Sequence, residues 1–144
     1  MSAMSDYLEN KLVDQLFRGQ TAPTTTTLYV ALYTAAPSDT GGGTEVSGSN
    51  YSRVAVTSSL ANWAGTQSAG STTASTGTGG QTSNNGSITF PTPSATWGLV
   101  THFAIYDATS GGNELFWGAL TISKTINSGD TVSFPAASLS ITFA

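Results

Sequence analysis

Few side chains in this chain could do chemistry. It has 144 residues, no cysteine, one histidine and 8% charged residues. Asp39-Thr40-Gly41 matches the triplet of aspartic proteases, in which two facing carboxylates share a proton. The sequence contains the triplet once, and its immediate neighbours, Ser38 and Gly42, carry no apolar side chain. We therefore predict a polar turn in which Asp39 caps the backbone, with a homodimeric protease as the alternative.

The single histidine, His102, lies inside the apolar stretch LVTHFAIYD. A general base needs a positioned nucleophile and an orienting acid, and no Gly-x-Ser-x-Gly elbow is present. A structural, hydrogen-bonded histidine is favoured, and a catalytic base or a metal site on a threefold axis are the alternatives. The carboxylates are scattered, and Asp107 and Glu114 at one hairpin are predicted to be a solvated pair. We expect no enzyme activity, no metal and no cofactor.

The charge distribution excludes several classes of partner. Net charge is −4, and the four basic residues are dispersed along the sequence, whereas binding to phosphate backbones needs several cations on one face. We therefore expect no nucleic acid as partner. No apolar run approaches the length of a membrane span, so no membrane is expected. The N-terminal segment does not resemble a signal peptide, which predicts assembly in a cytoplasm.

The N-terminal residues predict one amphipathic helix over residues 6–18. Ser5 or Asp6 can cap its first turn, and Gly19 suits the left-handed position that ends a helix. A helix of this length is marginal alone, so it must dock on its own sheet or on a neighbouring protomer. The predicted interface is its apolar stripe: Leu8, Leu12, Leu16 and Phe17.

The rest of the chain predicts short strands separated by turn signals. We expect a mainly β fold, an antiparallel β-sandwich or small jelly-roll-like barrel of about seven or eight strands with one N-terminal α-helix. Residues 1–20 form the docking helix and residues 21–144 the sandwich, with a flexible Gly/Ser/Thr-rich loop at 65–86. The predicted strands are 27–34, 51–58, 87–90, 99–107, 113–121, 121–126, 131–134 and 138–143.

Aromatic residues are frequent for so small a chain, and a small sandwich needs large core fillers. We predict that most of them are core, and a carbohydrate-stacking surface or a subunit interface are the alternatives. The residues in question are Trp63, Trp97, Trp117, Tyr29, Tyr33, Tyr51 and Tyr106.

Several long segments together resemble a family of small tailed-phage virion proteins, whose members are called phage tail fibre proteins. These segments are YLENKLVDQLFRG, APSDTGGGTEVSG, WGLVTHFAIYDA and ELFWGALTISKTINSGDTVSF. The resemblance covers nearly the whole chain apart from residues 65–86. It implies a virion component and carries no catalytic residues onto this sequence.

A receptor-binding fibre usually has a long shaft built from repeats, and this sequence has no repeat. We therefore expect a capsid cement or decoration protein, a homotrimer or other homo-oligomer, with the major capsid protein or other virion proteins as partners. The helix stripe and loop 35–50 would cover apolar patches on them. The alternative is a tail or neck fibre or adhesin that binds host surface carbohydrate.

Overall fold

The structure, a computed structural model, describes residues 2–22 and 24–143. They form one helix and ten short strands, which confirms the mainly β fold with one N-terminal helix. The elements are β1 (Ser2–Met4), α1 (Asp6–Arg18), β2 (Thr27–Ala35), β3 (Thr44–Glu45), β4 (Val54–Thr57), β5 (Gln81–Ser83), β6 (Ile88–Thr89), β7 (Gly98–Tyr106), β8 (Glu114–Ile126), β9 (Ser133–Phe134) and β10 (Ser140–Thr142).

Helix α1 has the predicted bounds, because both of its ends are determined locally. The Ser5 hydroxyl accepts a hydrogen bond from the Leu8 amide at 3.3 Å, which satisfies one of the free donors of the first turn. Gly19 adopts φ 66°, a left-handed conformation that glycine reaches without strain, and its amide donates to the Asp14 carbonyl. These contacts explain why a sequence pattern alone could predict the helix.

The main sheet is antiparallel and has six strands in the order β1-β8-β7-β2-β3, with β4 also paired to β2. Strand β2 is central, as its two apolar faces predicted. Val30 and Leu32 point into the large core, whereas Ala31 and Tyr33 lie in a smaller cluster on the other face. The alternation of side chains along β2 therefore supplies two separate packed layers.

A second layer of small sheets covers one face of the main sheet. Strands β5 and β10 form one two-stranded sheet, and β6 and β9 form another. Ile88, Leu139 and Ile141 from this layer share the large core with Phe103 and Ile105 of β7. The architecture is that of an antiparallel β-sandwich, as the turn spacing predicted.

A β-bulge changes the register of β7 against β8. His102 pairs with Ala119 and Val100 pairs with Lys124, so β8 uses five residues where β7 uses two. Val100 consequently faces the core, whereas Leu99 is half exposed. Strict alternation along strand 99–107 would place Leu99 on the same face as Phe103, but a bulge moves every residue beyond it to the other face.

Three strands lie where the sequence predicted none: β1, β3 and β5. Strand β5 falls within residues 65–86, which we expected to be one flexible loop, and it pairs with β10. The Asn84 side chain that follows is buried and bonds the backbone of Leu139, Gly86 and Pro135. Polar residues form this strand because an already ordered partner supplies its backbone hydrogen bonds. In a further difference, the predicted strands 113–121 and 121–126 form one strand, β8.

The loop 35–50 folds back on its own domain. Val46 is buried in the large core, and Ser38 and Gly41 form a bridge that closes a tight turn. Gly43 has φ 71°, and a Cβ there would lie 2.7 Å from the carbonyl oxygens of Ala35 and Ala36. The third glycine of the Gly41-Gly42-Gly43 run is therefore required by both conformation and space.

Candidate functional site

The predicted interface stripe of α1 divides into an inner and an outer part. Leu8 is half-buried and packs against the large core, and Leu12 is also half-buried. Leu16 and Phe17, by contrast, are 71% and 81% exposed, and Val13 is exposed beside them. The first turns thus hold the helix to its own domain, while the last turns present apolar side chains to solvent.

The start of α1 is fixed by backbone contacts to two neighbouring segments. The Ser5 amide donates to the Leu115 carbonyl, and its hydroxyl donates to the Glu114 carbonyl. The Asp6 amide donates to the Asp39 carbonyl at 2.9 Å. Because no residue of the helix is buried, the segment is clamped at its N-terminal end and projects from there.

Asp39 lies in the predicted polar turn. Its backbone carbonyl receives the Asp6 amide, and its carboxylate accepts a hydrogen bond from the Trp117 indole at 3.0 Å. The Ser38 hydroxyl donates to the Gly41 carbonyl and closes the turn. The side chain thus joins the turn to β8, a contact between distant parts of the chain that the triplet itself did not indicate.

Glu114 is a carboxylate whose burial was not predicted from the sequence. We predicted a solvated pair with Asp107, yet Glu114 is only 7% exposed and lies opposite Tyr106 in the ladder. Asp107 instead accepts hydrogen bonds from the backbone and side-chain nitrogens of Asn113 in the hairpin turn. The first residue of β8 points into the smaller cluster because its pairing with Tyr106 determines which face it occupies.

The surroundings of Glu114 favour its protonated form. Burial raises the pKa of its carboxyl to about 7, and the negative charge of Asp39 adds to this effect. The Tyr106 hydroxyl donates to Oε2 at 3.2 Å and accepts from Tyr33 at 2.6 Å, whereas Oε1 has no hydrogen-bond partner. A polar cleft of about 410 Å³ adjoins this group, lined by Tyr7, Asp39, Tyr106, Asn113 and Glu114 among others.

Arg53 lies at the centre of a buried ionic network. Its guanidinium bonds both carboxylate oxygens of Glu45 at 2.8 Å and lies 3.6 Å from the centre of the Tyr106 ring. It also donates to the carbonyls of Ala108 and Gly111 at 2.9 Å. Burial alone would lower the pKa of Arg53, but Glu45 raises it overall. The group therefore stays charged and ties three loops to the outer face of the sheet.

The burial of Arg53 was not predicted from the sequence. A signal was available: an isolated basic residue in a strand of a chain so poor in charge has few reasons to be there except a partner. Its side chain is 7% exposed, and that of Glu45 is 26% exposed. Of the two ion pairs among the described residues, Arg53–Glu45 is the more buried.

His102 is hydrogen-bonded, as predicted. Its Nδ1 lies 2.8 Å from the Thr101 hydroxyl, and its ring is tilted against that of Trp117. Within residues 2–22 and 24–143, no group of three or more histidine, aspartate or glutamate side chains is placed to hold a metal ion. In the same residues, no helix combines the length and apolar character needed to cross a membrane.

The aromatic side chains singled out from the sequence are all buried or half-buried, which confirms that most of them fill the core. Tyr33, Trp97 and Tyr106 are buried, and Tyr51 packs edge-on against Trp97 with ring centres 5.3 Å apart. The other four, Tyr29, Tyr51, Trp63 and Trp117, are half-buried, so none of the seven is fully exposed. The exposed aromatic residues are Phe17 and Phe143.

An open apolar cleft of about 550 Å³ lies beside the bulged part of β8. Its floor consists of Leu32, Val100 and Ile126, which belong to the large core, and Leu120 and Phe134 form its walls. Ile122 projects at the rim and is 79% exposed. The protein therefore has two uncovered apolar surfaces, the end of the helix stripe and this cleft.

The sequence profile of the family described as Podophage GP4 fiber I protein gp80 matches residues 3–142. The chain belongs to this family. The match extends from β1 to β10, so the helix and the sandwich are both parts of the family domain, and it runs past residues 65–86. The expected resemblance to tailed-phage fibre proteins is confirmed, and the protein is a structural component of the virion. No curated protein matches the chain.

Membership of a fibre family changes the preferred function within the virion. Absence of repeats led us to expect a capsid cement protein, whereas the family favours the alternative, a fibre protein. The capsid cement role, which was inferred from the lack of repeats, is not confirmed. The exposed helix end and the apolar cleft are then candidate contacts within a fibre.

Proposed function

We propose that this member of the podophage fibre family is a non-enzymatic fibre subunit that is anchored in the virion by the outer part of the α1 stripe. The observation that carries the proposal is the exposure of Leu16 and Phe17 on a helix whose start is clamped to the domain. Large apolar side chains grouped on one side of a projecting element are typical of protein interfaces. Burial of each would stabilise the contact by about 1.5–3 kcal/mol.

In this proposal the protein acts through buried contact area and catalyses no reaction. Two side chains together contribute about 3–6 kcal/mol, which offsets only the lower end of the cost of association, about 4–15 kcal/mol. The anchor therefore depends on repetition, because neighbouring contacts in one particle raise the effective concentration of each other. Glycan binding has less support, since the seven aromatic residues that could stack on sugars are buried or half-buried.

Charge on the helix stripe should remove the protein from the particle. With Leu16→Asp and Phe17→Asp together, we expect severalfold less of this protein per purified virion, measured by quantitative mass spectrometry. The fold should persist, because both side chains are solvent-exposed and the cap at Ser5 is untouched.

Gln15→Asp is the matched control, because Gln15 is exposed and lies on the side of the helix away from Leu16 and Phe17. It adds one negative charge to the same turn, where the double variant adds two, and should leave incorporation unchanged. Full incorporation of the Leu16→Asp/Phe17→Asp variant, with an unchanged circular dichroism spectrum, would show that the stripe is not the anchor.

Copy number distinguishes the proposed fibre subunit from a capsid cement protein. We expect a few copies per virion, in the range set by the number of fibres, when peptides of this chain are quantified against those of the major capsid protein. A cement protein covers the shell and would be present in hundreds of copies. A ratio near one to the capsid protein would contradict the fibre assignment while leaving the helix anchor open to its own test.

A further inference from the structure

The two uncovered apolar surfaces of this protein are complementary to each other. The outer helix stripe is convex and consists of Val13, Leu16 and Phe17, all exposed. The cleft beside β8 is concave, and its volume of about 550 Å³ lies within the usual range for pockets that take apolar groups. Both surfaces belong to the same chain, so every copy carries both the convex helix stripe and the concave cleft.

We propose that the outer stripe of α1 in one copy docks into the cleft between the β8 bulge and β9 of a second copy. The proposal rests on the proposed function, in which the stripe is the anchor, and it names the partner as another copy of this chain. Because the two contacting surfaces differ, the contact is heterologous, and it repeats until it closes a ring or continues as a filament.

The shape of the cleft follows from the bulge. Between the pairs His102–Ala119 and Val100–Lys124, β8 contains three more residues than β7. Residues 120–122 of this excess line the cleft and hold Ile122 at its rim. Bulges of this kind serve to redirect side chains at sheet edges, and here the redirected residue is apolar and exposed.

Charge favours the same partner. Lys124 is the charged residue among those that line the cleft, and it forms no ion pair within the described residues. On the helix, Glu9 is exposed one turn before Val13 and therefore lies beside the stripe. Arg18 lies off that face and is already paired with Asp14 at 2.9 Å. In the proposed contact, the carboxylate of Glu9 beside the stripe would therefore meet the unpaired ammonium group of Lys124 in the cleft.

The absence of cysteine from the sequence allows a direct test with the full chain. Phe17→Cys and Ile122→Cys copies, carrying different affinity tags, are produced in the same cells and then oxidised. We expect a disulfide-linked dimer that contains both tags, severalfold more abundant than any dimer from either variant alone. Single-cysteine copies cannot form this bond within one molecule. Gln15→Cys with Ile122→Cys, which places the thiol on the other side of the helix, should give only background.

Each other outcome contradicts the docking. A Phe17→Cys dimer as abundant as the mixed one would show that two helices pack on each other, and absence of the mixed dimer at high protein concentration would show that the cleft does not receive the helix. As a second measurement, Lys124→Glu should lower the yield of mixed dimer severalfold, and Glu9→Lys in the other copy should restore it. If Glu9→Lys does not restore the yield of mixed dimer, Glu9 and Lys124 do not pair across the contact.

These tests separate the docking from the anchor function. Cross-linking uses purified protein alone, whereas incorporation is measured in virions. Loss of Leu16→Asp/Phe17→Asp protein from particles without a mixed dimer would mean that the stripe anchors on a different virion protein. A mixed dimer with normal incorporation would mean that copies associate but are anchored elsewhere.

Discussion

Replacement of Arg53 with alanine is expected to lower the free energy of unfolding by about 3–5 kcal/mol, a large share of the stability of a small domain. The substitution leaves Glu45 without its bidentate partner and the carbonyls of Ala108 and Gly111 without their donor. It also removes the cation from the face of the Tyr106 ring. Chemical denaturation followed by tryptophan fluorescence would measure the change.

Two controls make this prediction specific to the buried network. Arg53→Lys keeps the charge but cannot form the planar fork or reach both carbonyls, so it should recover only part of the lost stability. Arg18→Ala removes the surface ion pair with Asp14 and should cost less than about 1 kcal/mol. Equal effects of Arg53→Ala and Arg18→Ala would contradict the stabilising role of the network.

Replacement of Glu114 with glutamine is expected to stabilise the fold by up to about 3 kcal/mol above pH 7, and far less below pH 4.5. The pKa of Glu114 rises from 4.5 to about 7 on folding, chiefly through burial. Between these pH values the unfolded chain releases a proton that the folded chain still holds. The wild-type fold therefore loses stability over this window as the pH rises, and the penalty is complete above pH 7.

Glutamine removes that titration while its oxygen can still accept the hydrogen bond from Tyr106. The measurement is the unfolding free energy of both proteins from pH 4 to pH 8, because other titrating groups cancel in the difference between them. A difference that stays constant from pH 4 to pH 8 would show that folding does not shift the pKa of Glu114.

Local signals account for the parts of the fold that were predicted correctly. The helix over residues 6–18 follows from a cap at Ser5, an apolar stripe and a glycine at its end, all of which act within a few residues. The central strand β2 follows from the alternation of two apolar faces. The sandwich follows from regular turn spacing, and the family resemblance from long, distinctive segments.

Nonlocal contacts account for the failures. The β7–β8 bulge exposed Leu99, and a paired edge ordered β5 inside a stretch that looked uniformly polar. The burial of Arg53 and Glu114 depends on loops far apart in the sequence that meet over Tyr106. No pattern within either segment could report such a meeting.

By itself, the sequence determined the helix, its apolar stripe, the mainly β character and the family, because each depends on residue order within short windows. The tertiary structure decided which part of the stripe is free, where an apolar cleft opens and which carboxylate is buried. These properties depend on which surfaces the packed chain covers. Leu8 and Leu16 lie on the same side of a helical wheel, and only the sheet beneath the first turn separates them.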